Sequence, residues 1–553
     1  MSDVDDGTST RLIPRLEVLL ADPEVPRWVT LLLDDVTQRG LAAIASVTLE
    51  DFPVEGSPAL RDAAHRLHAR LDEFLFGHRR QLTVGEDIRT WARAHNVDVV
   101  TLERSGVHPS RARADLALDL RAEDHHREGA DARGAAVWIL GGVPLRRADA
   151  RGRDLRSAIL AGRQTVPFWL LQTPAGTSAV RDRFDCVCPA HPTSAILTEE
   201  SLAASASQLL TELLANWPGG QGGTAVRGRR NGSSLSGSDV PPLPSRVSYA
   251  AAARFFVQGV RRQVDKAVTD HQWQLLIGRQ PVETLLPDPR ALRCLEPPRD
   301  CYWADPFVIA YEGREYVFFE EFEYASRKGR IAAVTLEPDG TPRDKVVALE
   351  LQSHLSYPCV FAHAGRLFMI PENAASGRLD LYECLRVPDR WEYRRTLIDG
   401  VALVDASIVF WDGLWWLFAS VKKPASVRTA ELLMVYCADD PVRGVWRPHT
   451  LNPLRADITA ARPAGVPFVH GGRLYRPAQD GSGGYGHGIA LFEVARLTPD
   501  EYKDQRCAEL TSAWIRYSCG MHTLNRAGAT VVMDLCKRVP RDPRRPGSQG
   551  MLE

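Results

Sequence analysis

Four carboxylates, Asp305, Asp405, Glu372 and Glu320, fall at matching places in a repeated pattern, and matching places point to one shared site. Asp305 and Asp405 each stand eight residues before a glycine, Gly313 and Gly413, and Tyr357 holds the same place before Gly365. Seven or eight residues after the aligned glycines come Glu320 and Glu321, Glu372 and Asn373, Ser420, then Gln479 and Asp480. Arg462 and His522 occupy the corresponding approach to the two later glycines. A buried carboxylate is costly unless it is paired or used. Carboxylates crowded together push each other's pKa values apart, which supplies one acid and one base at a single pH. The expected chemistry is general acid–base work.

The elements that must position these groups are five hairpins in the second half of the chain. They read DPFVIAYEGREYVFFEE, YPCVFAHAGRLFMIPEN, DASIVFWDGLWWLFASV, AGVPFVHGGRLYRPAQD and GMHTLNRAGATVVMDLC, on Gly313, Gly365, Gly413, Gly472 and Gly528. In each, an apolar strand enters, glycine supplies the turn, and an apolar or aromatic residue follows three positions on. The glycines are 52, 48, 59 and 56 residues apart. A unit of about fifty residues and four short strands is the sequence pattern of a β-propeller blade, so an all-β, five-bladed propeller is predicted over 301–538. Its inner strands would open together into one polar funnel.

The first 217 residues alternate helical and strand-like apolar segments, among them VPRWVTLLLDDVTQRG, AAIASVTL, VDVVTL, ADLALDL and SLAASASQLLTELLANW. This alternation predicts an α/β domain with a largely parallel sheet. Between the domains, 218–245 is rich in Gly, Ser and Pro, the composition of a flexible linker. A helical lead-in and first strands are expected over 246–300, and 539–553 is a tail.

The overall charge excludes some partners. Lys+Arg 68 against Asp+Glu 69 leaves a net charge of -1 in 553 residues, so no global field favours nucleic acid or an anionic membrane. No apolar run is long enough for a membrane helix, and the acidic start MSDVDDGTST is not that of a secretory signal. The ten cysteines are scattered, without a CxxC pair or a zinc-ligand spacing. A cytoplasmic protein with reduced thiols and no metal is expected. GGQGG and GSGGYGHG do not lie between a strand and a helix, so neither reads as a phosphate loop.

The motifs WADPFV, SYPCVFAHAGRLFMIPEN, LVDASIVFWDGLWWLFAS and GGRLYRPAQD resemble the propeller at the N-terminus of plant glucosamine inositolphosphorylceramide transferases and of related bacterial proteins. More distantly they are similar to the five-bladed family 43 arabinosidases and xylosidases. That second resemblance implies a general base at Asp305 and an orienting carboxylate at Asp405, while Arg462 and Gln479 stand where the glycosidases carry their acid. Hydrolysis is therefore disfavoured and glycosyl transfer preferred. The first resemblance places nucleotide-sugar chemistry in a separate C-terminal domain that the short tail is not expected to supply, so the funnel or a partner enzyme would perform it. The N-terminal domain more faintly resembles formyltransferase-like domains, degenerate here because Gly141-Gly142 follows the strand-like GAAVWIL where a histidine would be expected.

Together these readings predict a carbohydrate-active enzyme acting on a small-molecule glycosyl substrate, with a small-molecule or lipid-like acceptor. Asp305, Asp405, Glu372 and Glu320 would form the catalytic set. Trp303 and Tyr357 would stack on sugar, Arg462 and His522 would hold an anionic group, and Gln479 and Asp480 would add polar contacts. No cofactor is required, and a nucleotide sugar would serve as donor. The alternatives are a non-catalytic binding or scaffold protein, a glycoside hydrolase, and formyl or acyl transfer by the N-terminal domain.

Overall fold

A computed structural model describes residues 13–50, 63–102, 114–120, 136–143, 151–173, 182–217, 257, 264, 268–421, 428–513, 515 and 517–541. The expected linker over 218–245 and the tail beyond 541 lie outside the described residues, as does most of the helical lead-in.

In the N-terminal domain five strands run parallel, in the order Val99–Leu102, Ala43–Glu50, Arg15–Leu20, Leu116–Asp119, Ala136–Gly141. Thr165–Thr173 and Asp182–Pro189 extend the sheet antiparallel at one edge. Parallel strands buried on both faces read as continuous apolar runs, and Leu116–Asp119 and Ala136–Gly141 are buried throughout. Helix Ala195–Ala215 is capped by the Ser194 side chain, and the buried Asp72 carboxylate receives the Ser194 hydroxyl and the Ala195 and Ile196 amides. A carboxylate there meets the positive end of the helix dipole.

The C-terminal part is mostly β in a propeller-like arrangement. Four consecutive meanders form its sheets: 301–349, 356–399, 403–438 and 468–511. The first three, and the fourth in shortened form, begin with an inner hairpin whose two central residues both have positive φ: Glu312-Gly313, Ala364-Gly365, Asp412-Gly413 and Gly471-Gly472. That conformation matches the twist of the flanking strands. No atom would meet a Cβ on Gly313, Gly365, Gly413 or Gly472, so backbone conformation, not space, requires glycine there.

The expected fifth unit differs from these four. Ala527 pairs with Thr530, which makes Gly528 the first central residue of its turn instead of the second. The sheet is also composite: Thr530–Pro540 pairs along its whole length with Thr269–Arg279, a strand from the start of the segment. Aligning five glycines in one register therefore treated as a consecutive repeat a sheet assembled from both ends of the segment.

The third meander is joined to the N-terminal domain. Leu432 and Leu433 pair with Arg455–Asp457, and that strand lies parallel to Asp182–Pro189, with Ala456 opposite Cys186 and Asp457 opposite Val187. The Ala430 amide donates to the Ser205 hydroxyl at 2.9 Å, and Ala430, Leu432 and Ala456 belong to the apolar core of the N-terminal domain. One continuous sheet thus runs through both.

At Gly413 a β-branched side chain would be forced into the left-handed region. Gly413→Val is expected to cost about 1–2 kcal/mol, read as a lower midpoint in thermal unfolding, while Gly413→Asn should lose clearly less.

Candidate functional site

Three inner strands begin with the same irregularity. The pairing register shifts between Ala304 and Phe307, between Ser356 and Cys359, and between Val404 and Ser407. Within each shift one residue is left-handed: Asp305 (φ 51), Tyr357 (φ 43) and Asp405 (φ 53). A non-glycine residue in this region costs roughly 1–3 kcal/mol and persists only where surrounding contacts enforce it. Bulges of this kind re-aim side chains at the rim of a sheet.

Asp305 is held from the composite sheet. His522 Nε2 lies 3.2 Å from Asp305 Oδ1, and the Thr523 hydroxyl donates to the same oxygen at 2.9 Å. On its other side His522 Nδ1 is 2.7 Å from Asp534 Oδ2, a charge contact not aligned as a hydrogen bond. Asp534 is fully buried and accepts the backbone amides of His522, Thr523 and Asp305. Burial alone would push the imidazole pKa down, but Asp534 and Asp305 raise it well above the ordinary histidine value, so His522 is an imidazolium. Burial would likewise raise Asp305, yet His522, Thr523 and Arg462 hold it below the usual carboxylate value.

Asp405 is bound from the fourth meander and its approach. Its Oδ2 accepts Gln479 Nε2 at 2.7 Å and pairs with Arg462 Nε. Arg462 also lies 3.9 Å from Glu431, which receives the Ser420 hydroxyl at 3.1 Å. The Asp405 amide donates to Glu372 Oε2 at 3.0 Å. Burial, then the charge of Asp405, lifts Glu372 to about 8. Glu320 is raised well above the carboxylate range by burial and then by Asp305, and it accepts the Tyr302 hydroxyl at 3.2 Å. The cluster therefore holds an ionised Asp305 beside carboxyl groups that keep their protons near neutral pH, which is the division of labour general acid–base chemistry needs.

Of the ten residues expected at the site, the structure brings together Asp305, Asp405, Glu372, Glu320, Arg462, Gln479 and His522. Three sit otherwise. Trp303 is buried against Phe319 and its indole donates to Glu321 at 3.0 Å, which leaves no free face for a sugar. Tyr357 is completely buried, edge-on to Phe307, with its hydroxyl between Ser407 (2.9 Å) and the Gly465 amide (2.6 Å). Asp480 is taken up by the Ser482 amide and by Arg506 at 3.1 Å. Arg462 and His522, expected to hold an anion, already carry carboxylate partners.

Sequence reasoning missed Asp534, Tyr302, Trp273 and Tyr485. Asp534 was legible as the one charge within the apolar run TVVMDLC that opens strand Thr530–Pro540, since a buried charge demands a partner. Trp273 lies 4.3 Å from His522 between ring centroids, and Tyr485 lies 5.2 Å from it. Arg462 stands over the Tyr485 ring at 5.5 Å. Tyr485 comes from GSGGYGHG, whose glycines serve a tight loop beside the cluster: a Cβ on Gly486 would meet the Trp273 ring at 2.6 Å. With 37% of its surface exposed, Tyr485 is where the cluster meets solvent. Asp305, His522 and Asp534 also have the donor set of a cation site, with ligand atoms within 4.8 Å of one another. The imidazolium already fills the place between the two carboxylates.

Residues 297–514 match the sequence family described as the N-terminal part of glucosamine inositolphosphorylceramide transferase 1. The span contains Asp305, Glu320, Glu372, Asp405, Arg462 and Gln479 and stops before His522 and Asp534. The curated relatives are plant proteins of that name. The one from rice (Oryza sativa subsp. japonica) is 37% identical over 204 residues, which is 36% of this chain and 27% of the relative. The one from Arabidopsis thaliana is 31% identical over 206 residues, 37% of this chain and 27% of the relative. The chain thus spans about a quarter of the length of these relatives. Neither the bacterial companions nor the formyltransferase-like N-terminal domain suggested by the motifs finds support in these matches.

Among solved structures, the family 117 glycoside hydrolase Zg3597 of Zobellia galactanivorans aligns with 12% identity and a TM-score of 0.30, over 49% of this chain and 91% of that one. The catalytic domain of the Coprinopsis cinerea GH62 α-L-arabinofuranosidase aligns with 13% identity and a TM-score of 0.32, over 48% and 98%. Likeness at this level assigns no residue.

Two outcomes follow from the charge arrangement. Because Glu372 is raised from 4.5 to about 8, its protonated form favours the fold. That contribution is complete below about pH 4.5 and is lost as pH rises towards 8. Glu372→Gln should flatten this decline in a series of thermal melts across that pH range. His522→Ala leaves two buried carboxylates without their cation and is expected to cost about 3–5 kcal/mol. Calorimetry at neutral pH would show it, and part of the loss should return at acid pH.

Proposed function

We propose that the end of the propeller carrying Asp305, Asp405, Glu372 and Glu320 is a carbohydrate site and that the protein takes part in glycosyl transfer to a lipid-like acceptor. The observation that carries this reading is the convergence of these buried carboxyl groups at one end of the inner strands, with His522, Arg462 and Gln479 among them. Six of these residues lie inside the region homologous to the glucosamine inositolphosphorylceramide transferases.

Ionised Asp305 would accept the proton of an attacking hydroxyl. Glu372 would return a proton to the departing oxygen, with Glu320 as its neighbour. Asp405, fixed by Arg462 and Gln479, would orient the sugar, and Tyr485 at the solvent boundary would offer the stacking face first sought at Trp303 and Tyr357. The donor would be a nucleotide sugar, the setting the cytoplasm, and a partner enzyme would take part in the transfer.

A second reading has its own support. Arg462 with Asp405, and His522 with Asp305 and Asp534, already satisfy one another. This favours a non-catalytic binding module whose charges only hold a shape.

A thermal-shift series on the full chain with nucleotide sugars, sugar phosphates and inositol phosphates separates the two. A ligand at a hundred times its Kd stabilises by about 2.7 kcal/mol, which the melt resolves. The transfer reading expects a sugar compound to bind, turnover with a suitable acceptor, and a loss of about 10²–10⁴ in rate for Asp305→Asn with binding retained. Binding without any consumption supports the module instead. Full turnover by a folded Asp305→Asn protein removes Asp305 from the chemistry.

A further inference from the structure

The geometry points to an undescribed modification site: Cys519 and Cys536 form a reversible disulfide across the composite sheet. Cys519 Sγ lies 2.7 Å from Cys536 Sγ. Two thiolates bound to one tetrahedral zinc, each about 2.3 Å from it, would stand roughly 3.8 Å apart, whereas a disulfide needs only about 0.7 Å of further approach to reach its ~2.05 Å bond. The backbone is compatible. Ser518–Gly520 runs antiparallel to Thr530–Pro540, with Ser518 opposite Lys537, Gly520 opposite Cys536 and an irregularity between them. Cys519 falls within that irregularity, one residue from the partner of Cys536, so the two cysteines sit side by side on neighbouring strands.

The surroundings supply the chemistry. Cys519 is half-buried and Cys536 buried, and a nitrogen of the exposed His271 lies within 4.8 Å of both sulfurs. Burial, then Cys519 itself, keeps Cys536 in the thiol form. Cys519, the more exposed of the two, is the attacking group and the buried Cys536 the resolving one. With a small-molecule disulfide such as oxidised glutathione as oxidant, the Cys519 thiolate, its proton passed to His271, attacks one glutathione sulfur and expels the other half as thiolate. His271 returns its proton to the departed thiolate, and Cys536, its own proton then taken by His271, attacks the Cys519 sulfur of the mixed disulfide and releases the second glutathione. One disulfide is reduced to two thiols as one forms in the protein.

The bond would close a loop whose two ends carry the charge sandwich. His522 follows Cys519 by three residues and Asp534 precedes Cys536 by two. Cys536 also packs with Trp273 and Ala304, and Trp273 lies against His522. Oxidation would lock the strand that presents the imidazole to the strand that presents its carboxylate.

Intact full-length protein would be equilibrated with oxidised or reduced glutathione, alkylated, digested without reductant and mapped by mass spectrometry. The expected result is a single peptide pair joining Cys519 to Cys536, lighter by two hydrogen atoms than the reduced pair. It should revert in reduced glutathione and be accompanied by a higher melting temperature in the oxidised sample. Cys519→Ser should abolish the cross-link, and Cys384→Ser, in the second meander, should leave it unchanged. Alkylation of both thiols after oxidised glutathione overturns the proposal. So does a glutathione adduct on Cys519 that Cys536 never displaces, or protection of both thiols by added zinc with no cross-link under oxidation.

Discussion

A histidine clamped between two carboxylates ties the composite sheet to the first meander of this propeller-like ring. Asp305 lies on the first meander, Asp534 on the last sheet and His522 beside it, so the Asp534–His522–Asp305 sandwich adds a charge contact to the seam that the pairing of Thr269–Arg279 with Thr530–Pro540 closes. The Asp305 amide donating to Asp534 adds a second tie across the same seam. At this seam Asp305 adopts a left-handed conformation with its carboxylate and its amide both held.

Around that closure the charges are arranged in satisfied groups. Arg462 and Gln479 bring the fourth meander to Asp405 on the third, and the Asp405 amide engages Glu372 on the second. Each blade-to-blade step at this end is thus a polar contact between neighbouring units, while the body of the ring is apolar. Burial keeps Glu372 and Glu320 protonated beside them, so the same contacts that hold the ring shut also sort the carboxyl groups into two protonation states. The N-terminal domain does not stand apart from this. Its sheet continues into the third meander through Arg455–Asp457, and the Arg462 that binds Asp405 follows that strand closely in sequence.

Much of this was legible from residue order. Asp305 and Asp405 could be found by counting back from glycines whose turn geometry repeats, and Glu320 and Glu372 by counting forward, because hairpin register converts sequence spacing into position. The same counting failed at Trp303 and Tyr357. Being near the start of an inner strand does not say which way a side chain turns, and both rings pack against phenylalanines while their polar atoms are taken up within the protein. It also failed at Gly528, which belongs to a turn of another type in a sheet built from distant strands.

The sequence by itself determined what is local and periodic: the α/β alternation, the meanders with their turn glycines, and the placing of carboxylates at one end of apolar strands. These follow from side-chain spacing and backbone preference, which act over a few residues. Only the tertiary structure decided which charges meet. That His522 lies between Asp305 and Asp534, that Arg462 is spent on Asp405, that Tyr485 from a glycine-rich loop faces the cluster, and that Cys519 touches Cys536 all depend on how separate strands and loops close together. In that closure residues more than two hundred positions apart become neighbours, and the cost of burying each charge is met only by the partner that the closed ring provides.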